Sequence, residues 1–253
     1  MVLCDGTVFR GQAFGAPALC SGEVVFNTSM TGYQEICTDP SYAGQIVTMT
    51  YTQIGNVGVN PDDEESRGLF LEGFVVKELF RETSNWRSLG SLDAALEAAG
   101  VPGIEGIDTR ALVRRIRSGG AQIGVISTDP DLQDESELVD RARAAPGLDG
   151  VDWVDRVTCR EPYRFQEGTW PGIAGQVPRG AKPGVPLKVV VYDFGVKRNI
   201  LRQLVDHGFD VTVVPATTPA AEALALAPDA IFLSNGPGDP AAVEGVRENV
   251  REL

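Results

Sequence analysis

The chain has 253 residues, with 22 Lys+Arg against 35 Asp+Glu, a net charge of −13. Apolar residues make up 43% and charged residues 23%, an ordinary globular composition for one large or two smaller domains. The acidic balance (pI ≈ 4.5) argues against a protein that binds nucleic acid by neutralising phosphates, and no apolar run approaches the ~18–20 residues of a membrane span.

The amino-terminal stretch MVLCDGTVFRG lacks a basic start followed by a long apolar run, so no signal peptide is expected. Four scattered cysteines (Cys4, Cys20, Cys37, Cys159) do not form a disulfide framework, and a reducing, cytoplasmic setting is expected. The single histidine, His207, with no C-x-x-C pair, argues against a zinc site of the usual kinds. Its place beside Gly208 fits a solvated helix end better than a general base.

In chain order, Gly22–Asn27 and Gln45–Tyr51 have the apolar, β-branched composition of strands. Phe74–Val76 and Ile123–Ile126 are further strand candidates. Helices are predicted over 91–99, stopped by Gly100, and over 109–118, capped by Asp108 and ended by Gly119-Gly120. Leu112 and Ile116 fall on one face of the second helix, leaving Arg114, Arg115 and Arg117 outward. Asp62–Glu65 reads as a solvated charged turn.

Residues 164–187 hold five Gly and four Pro, which leaves no room for a regular element. This predicts an amino-terminal domain over 1–160, a linker over 161–186 and a second domain from 187 to 253. In the second domain, Leu187–Tyr192 is a nearly continuous apolar strand, as expected when both faces are covered. A helix around 200–205 closes at His207-Gly208. Strand Val211–Val214, a helix opened by Thr218-Pro219, strand Ala230–Ser234 and a helix from Asp239-Pro240 to the chain end follow. The alternation β-α-β-α-β-α predicts an incomplete flavodoxin-like doubly wound parallel sheet, beside a mixed α+β first domain.

The loop Ser234-Asn235-Gly236-Pro237-Gly238-Asp239-Pro240 follows the third of these strands at its carboxyl end, where ligands of open α/β sheets bind. Its glycines let main-chain N–H groups approach a ligand closely and could hold an oxyanion or carboxylate. A rigid strand-to-helix turn fits the same residues. The stretch from Phe26 to Tyr42 is dense in hydroxyls and amides around Gly32 and Pro40. Capping of their own backbone is the usual job of such residues, and composition alone favours that reading over a ligand site.

Five blocks carry a resemblance: FNTSMTGYQEICTDPSY, TYTQIGNVGVNPDDEES, GIDTRALVRRIR, VVYDFGVKRNILRQL and IFLSNGPGDP. Together and in order they resemble the small, glutamine-hydrolysing subunit of carbamoyl-phosphate synthetase. IFLSNGPGDP by itself also fits other class I glutamine amidotransferases. The resemblance implies an enzyme subunit that hydrolyses glutamine and passes ammonia to a large subunit. That partner would bind ATP, magnesium and bicarbonate and make carbamoyl phosphate for arginine and pyrimidine synthesis. No cofactor, metal, nucleic acid or membrane is expected for this chain, and no G-x-x-x-x-G-K-[ST] loop occurs in it.

By motif match, Ser41 of DPSY would bind glutamine. Gly236 and Gly238 would do the same, with the Gly236 N–H contributing to an oxyanion hole. The family's nucleophile, a cysteine in G-x-C-x-G-x-Q, has no counterpart here, so no catalytic residue is assigned and this polypeptide alone is expected to be inactive. The four cysteines read as buried or incidental thiols. A non-catalytic module that docks on the large subunit is the alternative reading.

Overall fold

The computed structural model describes residues 1–129, 131, 134–172 and 186–253. The chain divides by packing into two units, Met1–Leu148 and Asp149–Leu253. The division therefore falls twelve residues before the boundary expected at 160.

The first unit is built on a seven-stranded sheet. Its strands in chain order are β1 (Val2–Leu3), β2 (Gln12–Gly15), β3 (Leu19–Asn27), β4 (Gln45–Met49), β6 (Gly73–Val75), β8 (Pro102–Glu105) and β9 (Gln122–Ser127). A separate parallel pair, β5 (Gln53–Ile54) and β7 (Glu78–Leu79), lies between them in sequence. The spatial order is β1-β9-β3-β4-β6-β8-β2. Strands β3, β4, β6 and β8 run parallel, while β9 and β2 flank them antiparallel. Residues of β3 and β4 alternate in partnership, as in Val24↔Ile46 and Phe26↔Thr48.

Apolar side chains cover both faces. One cluster joins Phe14, Val47, Met49, Phe74 and Val76 to Leu92 and Leu96 of helix α2 (Leu92–Ala98), after the short helix α1 (Tyr33–Cys37). The other joins Leu3, Val24, Ile46, Val75 and Ile126 to Leu112 and Ile116 of helix α3 (Thr109–Gly119). The predicted Asp108 cap forms, its carboxylate accepting from Ala111 N–H (2.9 Å); Ser91, expected inside the first helix, caps it instead, its hydroxyl accepting from Ala94 N–H (3.2 Å). Helix α4 (Glu135–Ala144) completes the unit, with Leu138 and Ala142 against Val2 and Val125. Arg114, Arg115 and Arg117 face outward, as the pattern requires. Arg115 also reaches across to the Asp5 carboxylate (2.6 Å). Burial opposes ionisation of Asp5, but hydrogen bonds from Thr7 and Arg115 outweigh it and hold the carboxyl at about 2.

In the second unit, β11 (Leu187–Asp193), β12 (Phe209–Pro215) and β13 (Ala230–Leu233) are parallel, with β11 in the middle. They alternate with helices α6 (Arg198–Asp206), α7 (Ala220–Ala225) and α8 (Val246–Glu252). This is the expected doubly wound pattern. Val189, Val191, Val211 and Val213 pack with Leu201 on one face, and Val190, Tyr192 and Val214 with Ala223 on the other.

Three expectations need correction. First, residues 149–160 belong to this unit: helix α5 (Val154–Val157) buries Val154 with Ala216 and Val243. The Cys159 N–H donates to the Asp193 carboxylate (2.7 Å) and the Thr158 hydroxyl accepts from Ala216 N–H (2.9 Å). Second, the stretch expected as linker contains strand β10 (Tyr163–Phe165), antiparallel to β12. Charged and polar pairs continue that strap: Arg164 with Asp210, Glu167 with Arg202 (2.6 Å), and Thr169 with Asp206 (2.6 Å). The Arg164 hydrogen bond holds the Asp210 carboxyl below its usual range. The rest of the expected linker, 173–185, lies outside the described residues. Third, Asp239-Pro240 opens only a 3₁₀ turn, Pro240–Ala242. Val243 is extended and buried, Gly245 takes φ +76, and α8 starts after it.

Candidate active site

The order β12-β11-β13 reverses direction at β11, because the chain goes to one side for β12 and to the other for β13. The crevice at the carboxyl ends of β11 and β13 is therefore the topological switch point, where open α/β sheets bind ligands. Two loops meet there: Asp193–Lys197 after β11 and Ser234–Asp239 after β13.

They are laced together. The Phe194 N–H donates to the Ser234 hydroxyl (3.0 Å), Asn235 Nδ2 to the Gly195 carbonyl (3.2 Å), and the Ser234 N–H to the Tyr192 carbonyl (3.3 Å). Beneath them, buried Asp193 anchors the first loop, with one carboxylate oxygen accepting from the N–H groups of Gly195 (2.9 Å) and Val196 (2.8 Å). The other oxygen takes the Cys159 N–H, so three main-chain donors fix this carboxylate.

Both glycines are required by space. A Cβ on Gly236 would strike the Phe194 carbonyl oxygen, which is main chain and cannot swing away. Gly238 has φ +68, and a Cβ there would lie 2.9 Å from Cδ1 of Trp153. The Asp239 carboxylate accepts from Ala241 N–H (2.8 Å). Pro237 is buried between the two exposed glycines. Among the described residues the N–H groups of Gly236 and Gly238 donate to no protein acceptor, which leaves them for a ligand.

Ser41 sits in the first unit, in the 3₁₀ turn Pro40–Tyr42. The Asp39 carboxylate accepts its N–H (2.9 Å), and Asn27 Nδ2 donates to the neighbouring Tyr42 hydroxyl (3.0 Å). Much of the polar stretch around it is structural. Gln34 exchanges two hydrogen bonds with the Asn60 main chain (2.6 and 2.9 Å), and the Thr38 hydroxyl donates to the Gln34 carbonyl (2.8 Å). Burial pushes the Tyr33 hydroxyl up to about 12, so it stays protonated and donates to the Gly58 carbonyl (2.9 Å). The Asp62–Glu65 turn is tied down, since Arg87 pairs with Asp63 (2.7 Å) and Asp62 (3.5 Å).

The cysteines have poor credentials as nucleophiles. Burial pushes the Cys20 thiol up to about 12 and drives that of Cys37 higher still, which leaves almost no thiolate at neutral pH. Cys159 belongs by packing to the second unit, outside the placement expected for it, and joins the core beside Val191. His207 ends α6, with Nδ1 2.7 Å from the Gln203 carbonyl. Among the described residues no group of three or more His, Cys, Asp or Glu could hold a metal, and no helix is long and apolar enough to cross a membrane.

Trp153 and Asp193 were not legible as site residues. Trp153 lies 85 residues before Gly238 in a stretch without helical or strand periodicity. Asp193 looks like any residue at the end of an apolar strand.

Residues 190–253 match the family model "Glutamine amidotransferase class-I", so the switch-point loop belongs to an amidotransferase domain. Residues 1–126 match "Carbamoyl-phosphate synthase small chain, CPSase domain". Over all 253 residues the chain is 58% identical to the carbamoyl phosphate synthase small chain of Syntrophotalea carbinolica and 50% identical to that of Pseudomonas aeruginosa. The chloroplastic small chain of Arabidopsis thaliana is 48% identical over the same length. The chain spans 66%, 67% and 58% of those three relatives. It belongs to the carbamoyl phosphate synthase small chain family.

Proposed function

We propose that this chain contributes the glutamine-binding part of a subunit that hydrolyses glutamine and delivers ammonia for carbamoyl phosphate synthesis. The ammonia goes to a partner subunit that holds ATP, magnesium and bicarbonate, in a cytoplasmic enzyme serving arginine and pyrimidine formation. The Gly236 N–H stabilises the oxyanion that develops on the side-chain amide carbon's oxygen when that carbon is attacked. Gly238 and Ser41 help hold the substrate. None of the four thiols in 1–253 serves as the attacking group, and the polypeptide 1–253 by itself turns over no glutamine.

The observation that carries the reading is the switch-point loop: two glycines that tolerate no Cβ, backed by Phe194 and Trp153, with N–H groups left without protein acceptors. The test uses the protein as its own organism makes it, isolated with its ATP-dependent partner, and not the polypeptide 1–253. Carbamoyl phosphate should form from bicarbonate and ATP with either glutamine or ammonia as nitrogen source. Synthesis from ammonia but never from glutamine overturns the proposal.

A further inference from the structure

The first unit carries a second candidate site that glutamine hydrolysis does not use. Strands β4, β6 and β8 are parallel, and a cavity of about 450 Å³ opens where their carboxyl ends lead out. Thr50 and Thr52 line it after β4, and Lys77 after β6. The chain leaving β8 enters α3, which adds Asp108, Arg110, Arg114 and Arg117.

The charge balance is four cations against one carboxylate, on a chain whose net charge is −13. The carboxylate is already engaged, since Asp108 caps α3. Among the described residues the Lys77 ammonium donates to the Ile107 carbonyl alone, at 3.4 Å. Among the described residues Arg110, Arg114 and Arg117 pair with no carboxylate, although acidic side chains outnumber basic ones. The fourth arginine of the helix, Arg115, points elsewhere and is tied to Asp5, which fixes the helix's rotation. Leu112 and Ile116 hold its opposite side in the core.

Arg110, Arg114 and Arg117 fall at i, i+4 and i+7, a single stripe about 10 Å long. A compact phosphate would engage one end of such a stripe. An extended peptide presents alternate side chains about 6.6 Å apart, close to the rise of about 6 Å from Arg110 to Arg114, and can span the whole stripe, Arg117 included, where a compact anion cannot. Nucleic acid is disfavoured by the strong overall negative charge.

We propose that this groove is a docking surface for an acidic, extended segment of the ATP-dependent partner subunit. The choice of partner rests on the function proposed above; the charge and shape of the occupant rest on the groove itself.

The experiment compares the native protein with the triple variant Arg110→Glu/Arg114→Glu/Arg117→Glu and with the triple Lys variant. Association with the purified partner is measured by calorimetry at low and high salt, and glutamine hydrolysis and thermal unfolding are measured alongside. The Glu triple should weaken association by about 100-fold or more, because like charges are forced together. The Lys triple should stay within about tenfold, and added salt should weaken the native complex. The Glu triple should keep the native unfolding temperature and glutamine KM.

Unchanged association of the Glu triple overturns the inference. So does saturable binding of inorganic phosphate that the Glu triple abolishes while association is unaffected, since the groove would then serve a small anion. If the Glu triple unfolds early, the single Arg114→Glu variant decides by the same association measurement. Failure of the functional reading would appear separately, as native protein that never hydrolyses glutamine.

Discussion

Replacing Gly236 with alanine in the protein as its organism makes it, assayed with its partner, cuts kcat/KM for glutamine by about 100-fold or more, while synthesis from ammonia stays within about twofold. The added methyl group has nowhere to go. It meets the Phe194 carbonyl oxygen, with the Phe194 carbonyl carbon 3.0 Å away, and that main chain is held by the Asp193 carboxylate. The loop after β13 must therefore yield. Loss of one oxyanion donor typically costs 10²–10³ in turnover, and a displacement of the order of an ångström is enough to misdirect it. The loop is at the surface of its unit, so the unfolding midpoint should fall by no more than about 5 °C. Steady-state rates with the two nitrogen sources check this. An equal loss with both would mean that the substitution acts on the fold or on the partner, and not on an oxyanion.

The largest effect on stability is expected in the first unit, at Gly103. This residue lies in β8 between Phe74 of β6 and Phe14 of β2. A Cβ on Gly103 would strike the Phe14 ring, which is 5% exposed and part of the main cluster. Gly103→Ala must push that ring off its seat, at a cost of about 3 kcal/mol. For a chain of this size that lowers the unfolding midpoint by roughly 6–12 °C. Thermal denaturation followed by circular dichroism measures it. The double variant Gly103→Ala/Phe14→Leu should lose clearly less than the two single losses added together, because the smaller side chain leaves room for the methyl. Strict additivity would show that the two sites do not share the space.

How far the sequence reveals these features depends on what holds each element. Leu187–Tyr192 was legible because β11 is central and its Val189–Tyr192 stretch is covered on both faces, which calls for consecutive apolar residues there. Helix α3 was legible because Asp108, Leu112, Ile116 and Gly120 mark its cap, its buried side and its end. By contrast β10 is an edge strand held by Arg164–Asp210, and its extension by Glu167–Arg202 and Thr169–Asp206. Those contacts leave no apolar periodicity, and the surrounding Gly and Pro read as a linker. The late start of α8 depends on Val243 being drawn into a cluster with Val154 and Ala216, a tertiary effect invisible in local pattern.

The candidate site divides the same way. Gly236 and Gly238 stand out because steric need restricts their positions to glycine, and that need leaves a mark in the sequence. Their supports do not: Asp193, Phe194 and Trp153 act through the backbone they fix and the space they fill. Ser41 came from motif resemblance alone. Its surroundings, Asp39, Asn27 and Tyr42, form an ordinary capped turn, and its role in binding glutamine remains part of the proposal.

The most direct test of the central claim is amide hydrogen exchange on the native protein with its partner, with and without a saturating electrophilic glutamine analogue. The account predicts slowed exchange in peptides covering Ser234–Asp239, at Gly236 and Gly238 above all, together with slowed exchange around Ser41. Bound analogue with unchanged exchange in both segments would contradict it.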